Sequence, residues 1–177
     1  MTHTVWPGNR HYAMIAGLTL TAFATAACSP GPAPDEQPNS AVGLWDPCTE
    51  IPHSVLAELG VDPATETGTS RETPRIRLCQ WTSSPATWQQ ILEVTATTIA
   101  FDTTKQINAE SGFTEITIHS RPAIRTRSVV TPEQGRCDIA SASPWGTVTV
   151  SVTLNSTDDP CPAAEAAAAR LDAVIPQ

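Results

Sequence analysis

Four cysteines, Cys48, Cys79, Cys137 and Cys161, follow a start that reads as a secretory leader, and together these constrain the fold more than anything else in the chain. Thiols in an exported protein meet an oxidising compartment, so an even number of them is most simply read as two disulfides. Sequence alone allows three pairings. Cys48 with Cys79 and Cys137 with Cys161 are favoured because each then closes a loop within one half of the domain. In the chain-entropy picture each closure stabilises by about 3.5 kcal/mol. No metal site is expected: there is no C-x-x-C spacing, and His53 and His119 stand apart from the cysteines.

The leader reading rests on length and flanks. Arg10 and His11 supply a weakly basic start, and a run of about sixteen mostly apolar or small residues leads from Tyr12 to Cys28. A membrane-spanning helix needs roughly twenty apolar residues, and Thr19, Thr21 and Thr25 dilute this run further, so cleavage is expected rather than retention. Thr25-Ala26-Ala27-Cys28 resembles a bacterial lipobox, with small residues before the cysteine that is acylated and threonine where leucine is usual. The competing reading is ordinary cleavage after Ala26, with free secretion. Residues 1–27 are thus expected to be a signal peptide. Residues 28–43 are expected to be the lipidated Cys28 and a disordered stalk, since Ser29–Ser40 holds four prolines, two acids and no large apolar residue. Buried lipid methylenes contribute about 0.8 kcal/mol each, so a palmitate-type anchor of two chains holds a soluble domain stably. The expected location is the cell membrane, lipid-anchored and facing outside the cytoplasm.

The remainder, residues 44–177, is the right length for a single globular domain. The whole chain carries a net charge of −8; loss of Arg10 with the leader leaves nine Lys and Arg against eighteen Asp and Glu, a net of −9. Such an acidic chain is not expected to bind nucleic acid. It meets the membrane through its lipid anchor and not by charge.

Periodicity predicts a short helix carrying Val55, Leu56 and Leu59, ended by Gly60, and a loop over residues 64–74. Residues 75–81 read as a strand with Ile76 and Leu78 on one face and Cys79 and Trp81 on the other, which requires two covered faces or a bulge. A strand over residues 89–98 places Leu92, Val94 and Ala96 inward, and Asp102 is placed to cap a helix reaching Glu110. Further strands carry Ile116 and Ile118, residues 123–130, and residues 137–143. The clearest sets Val148, Val150, Val152 and Leu154 against an exposed face of Thr147, Thr149, Ser151 and Thr153. From Pro162 a helix stripes Ala164, Ala167, Ala168, Leu171, Val174 and Ile175. The fold class is α+β: an antiparallel sheet of about five or six strands, packed by a short N-terminal helix and an Ala-rich C-terminal helix, with two disulfides.

Candidate sites are few. Arg125 and Arg127 are expected on the outward face of their strand with Arg121 nearby, a basic patch able to grip an anionic head group or polymer, although local ion pairs explain it equally. The hydroxyl-lined face of residues 147–153 suits exposed strand residues as well as a sugar or peptide. His53 and His119 have no nucleophile or carboxylate fixed beside them in sequence, and Asp158 and Asp159 suit a helix start. There is no Gly-x-Ser-x-Gly, no His-Glu-x-x-His and no phosphate-cradling glycine loop, so no catalytic residue and no cofactor is expected.

Asp46-Pro47-Cys48, Cys79-Gln80-Trp81, Arg136-Cys137 before paired strands and Pro160-Cys161 opening an alanine-rich helix together resemble the actinobacterial lipoproteins of the domain of unknown function 3558 family, over roughly residues 44–175. The resemblance implies an envelope lipoprotein with a compact α+β domain and supplies no catalytic residues. The expected function is a non-catalytic binding or interaction module whose partner is an envelope lipid, polymer or protein. The alternatives are a carrier of an apolar ligand and an envelope-acting hydrolase.

Overall fold

The computed structural model describes residues 43–68, 74–87, 89–132 and 134–177, all within the compact unit Asp35–Gln177. The expected signal peptide, Cys28 and the stalk up to residue 42 lie outside the described residues. In chain order the elements are α1 (Pro47–Glu50), α2 (His53–Glu58), β1 (Asp62–Gly68), β2 (Ile76–Thr82), β3 (Gln90–Thr97), α3 (Phe101–Asn108), β4 (Thr114–Ile118), β5 (Arg121–Thr131), β6 (Gln134–Ser143), β7 (Gly146–Leu154) and α4 (Cys161–Leu171). Every strand joins one sheet of order β1-β2-β3-β7-β6-β5-β4, antiparallel throughout. Two meanders, β1–β3 and β4–β7, are fused by the pairing of β3 with β7, and α3 carries the chain from the middle of the sheet to its far edge.

Alternation along the central strands builds the core. Leu92 lies opposite Trp81 and Val152, and Val94 opposite Cys79 and Val150, so their side chains share one face, as the period of two demands. With Cys137 and Ile139 they are buried beneath Val55 and Leu56 of α2 and Ala164, Ala167 and Leu171 of α4. The small alanines let α4 lie close to the sheet. Two disulfides staple the same face: Cys48–Cys79, with Cα atoms 5.4 Å apart, ties α1 to β2, and Cys137–Cys161, at 5.0 Å, ties β6 to α4. Trp45 stacks on Trp145 of the β6–β7 turn, with ring centroids 6.4 Å apart and planes at 20°. Trp45, just ahead of α1, is thereby packed against the far end of β6 and β7.

The architecture departs from expectation in several places. Among the described residues the sheet has seven strands, not five or six, and the helices number four. The extra strand β1 lies where a loop was expected. It is an edge strand that holds Pro63 and has an irregular register between Asp62 and Thr67, so its sequence carries no clean alternation. Strand β2 has an unbroken register against β3; its Cys79 and Trp81 face is the core, and Ile76 is left 41% exposed on the other. Neither a bulge nor a second full layer was needed. Helix α3 is preceded by Ala100 with no side-chain cap, and Asp102 sits in its first turn. Helix α4 ends at Leu171, with Ile175 buried in the tail beyond it. The face of β7 expected to be wet is largely covered: Thr147 is buried, with its Oγ1 3.1 Å from Thr104 Oγ1 of α3. Ser151, also buried, accepts from Arg136 Nη2 at 2.8 Å.

Candidate functional site

The arginines of β5 share one face, as their spacing requires, but it is the face turned toward α4 and not an outward one. Adjacent Ala123 and Ile124 are both buried, so hydropathy there marks no outer side. Arg121 is internal, with a side chain only 6% exposed. Its Nε donates to Asp172 Oδ1 at 2.7 Å, its Nη1 to Ala142 O at 2.9 Å and its Nη2 to Ile175 O at 3.3 Å. It clamps the C-terminal tail onto the sheet and is spent as a surface group.

Arg125 and Arg127 stay accessible. Arg125 Nη1 donates to Glu165 Oε1 of α4 at 2.6 Å. Arg127 Nη1 lies 3.6 Å from Asp159 Oδ1, with both side chains about half exposed, a weak, solvated pair. Both arginines line an open cleft of about 390 Å³ bounded by Gly112, Phe113, Thr114 and Asp159. The cleft exists because β4 is short. It pairs with β5 from Ile118 opposite Arg121 to Thr114 opposite Arg125; before Thr114, Gly112 takes the left-handed conformation (φ 79) and turns the chain away toward α3. Beyond Arg125, β5 is paired with β6 on one side and has no strand on the other among the described residues. Val129 and Val130 of this free stretch are 76% and 53% exposed.

Two further groups of charges are paired. Asp172 accepts from Arg121 and also from His119 Nδ1 at 3.0 Å. Burial pushes its carboxyl up, but the hydrogen bonds and charges of His119 and Arg121 outweigh that and hold it below the usual carboxylate range. On the outer face Arg136 donates to Glu93 at 2.7 Å and to Asp138 at 2.8 Å. Burial lowers its pKa, but the two carboxylates overcome that and raise it. Sequence reasoning missed this network, because Glu93 and Ser151 are remote in the chain; the i, i+2 placement of Arg136 and Asp138 on one strand face was the available signal. His53 is exposed at the start of α2. Asp159 Oδ1 accepts from Cys161 N at 3.1 Å, the helix-start role expected of it. Cys48, Glu66 and Cys79 bring their ligand atoms within 4.8 Å of one another, but the two sulfurs are joined, which leaves Glu66 without co-ligands.

The fold and cleft define a small disulfide-stapled domain of mostly antiparallel sheet, with a polar groove beside a truncated edge strand. The chain belongs to the family described as "Protein of unknown function (DUF3558)", whose model matches residues 21–173. No curated protein and no solved structure matches it.

Proposed function

We propose that the chain is a membrane-anchored extracytoplasmic lipoprotein, acylated at Cys28, whose domain is a non-catalytic binding or interaction module. The observation that carries the binding reading is the cleft at Arg125 and Arg127, where two accessible guanidinium groups meet an open strand edge, while Arg121 is held in the interior and Arg136 in a half-buried network. Its lining is polar, which suits a partner presenting polar or main-chain groups better than an apolar ligand carried inside. The non-catalytic reading is supported by the oxidised state of Cys48, Cys79, Cys137 and Cys161. It is also supported by His119, whose carboxylate partner already serves Arg121.

Two experiments on the full-length chain in its envelope test the reading. Metabolic labelling with an alkynyl palmitate analogue is expected to mark the wild type and not C28S, and C28S is expected to leave the membrane fraction. An unlabelled wild type overturns the anchor. A photo-reactive residue placed in turn at Thr126, Glu50 and Gln106 is expected to yield a discrete adduct from at least one position; none from any position overturns the module.

A further inference from the structure

We infer that the free edge of β5, from Thr126 to Val130, receives an extended acidic peptide segment of a partner protein as an added strand. The inference deepens the binding-module reading and rests on it. On one side the stretch Thr126–Val129 is laddered to residues 138–135 of β6. On the other, the last strand pair is Thr114 with Arg125, so the outward N–H and C=O groups beyond it form an open template among the described residues. The cleft lies where β4 would continue if Gly112 did not turn the chain away. A strand entering it would run in line with β4, take up main-chain hydrogen bonds and be read by alternate side chains.

The side chains state which strand fits. Arg127 and Val129 are two apart and share a face; Arg127 is 55% exposed with its carboxylate 3.6 Å away, and Val129 is 76% exposed. The complement is a segment with a carboxylate beside Arg127 and an apolar side chain two positions along, beside Val129. Within the free stretch 126–130 the single charged residue is Arg127, with no Asp or Glu, in a chain of net charge −8, so the charge the open edge itself offers a partner is positive. A second copy is the poorer occupant, because pairing β5 with itself sets arginines near arginines. An edge arginine likewise turns away basic strands while admitting acidic ones.

The test uses the full-length protein in detergent and a fluorescent synthetic peptide repeating Thr-Glu-Thr-Val, against the same peptide with lysine for glutamate and a third with proline at its centre. Expected are saturable anisotropy for the acidic peptide and slowed amide exchange confined to residues 126–130. Affinity should fall about tenfold or more in R127E. The lysine peptide should bind R127E better than wild type, a charge swap that a misfolded variant would not show, and the proline peptide should fail. Absence of saturable binding, equal binding of the acidic and lysine peptides, unchanged exchange at 126–130, or self-association that buries this edge would each overturn the proposal. Photo-adducts from Glu50 or Gln106 alone would sink this edge while leaving the module reading in place.

Discussion

Arg121 brings a full charge into the interior, which is tolerable only because Asp172 and the carbonyls of Ala142 and Ile175 meet it. Truncation therefore does more than remove a side chain. R121A leaves the Asp172 carboxylate, 12% exposed, without its cation, and the expected loss is about 3 kcal/mol in denaturant unfolding. Asp172 also predicts a pH dependence. In the folded state its carboxyl is held below the ordinary carboxylate value by His119 and Arg121, so the folded state binds fewer protons than the unfolded one through that region. The stabilisation is complete above the unfolded value and is lost as pH falls through the folded one. The stability gap between wild type and D172N should accordingly narrow as pH falls below about 4; a gap constant into strong acid would contradict the assignment. Neither effect was legible in sequence, since Arg121 and Asp172 are brought together only when the tail packs against β5.

At the scale of elements, turns and staples decide where strands stop. Gly146 opens β7 at φ 151, and a Cβ there would run into the Thr97 and Ile99 carbonyls at the end of β3. G146A is expected to cost about 3 kcal/mol or more, because backbone has nowhere to move. Gly112 is left-handed too, but nothing lies within 4 Å of a Cβ, so G112A should cost only about 1 kcal/mol, from conformation alone. Comparing the two variants by thermal unfolding separates close approach from backbone strain. The Cys137–Cys161 bridge acts on α4 in the same local way. C137A/C161A should lose about 2–4 kcal/mol, with faster amide exchange over residues 161–175 and little change in α1. That staple was readable from the cysteine count and spacing. The truncation of β4 was not, because Gly112 announces a turn without saying which neighbouring strand it leaves uncovered.

Across the whole molecule, one sheet face carries the core and both disulfides, and the other is covered in part by α3 and by the Arg136 network. The rows Leu92, Val94, Ala96 and Val148, Val150, Val152 told which side chains turn inward, and the even count of cysteines told that two staples were to be expected. The stripe of Ala164, Ala167, Ala168 and Leu171 marked the helix that covers them. These features are local or covalent: period-two geometry, a bond between two sulfurs and helical spacing are all properties of the chain itself. Strand order was hidden, because the pairing of β3 with β7 joins segments separated by some fifty residues. With it were hidden the burial of Thr147 and Ser151, the inward turn of Arg121 and the strand status of residues 62–68, each of which depends on a neighbour supplied from elsewhere in the chain. The sequence by itself determined the stapled α+β domain and its apolar face. Tertiary structure alone decided which arginines are spent on the interior and which stand beside an open strand edge, because a side chain's partners depend on which segments the fold lays against it.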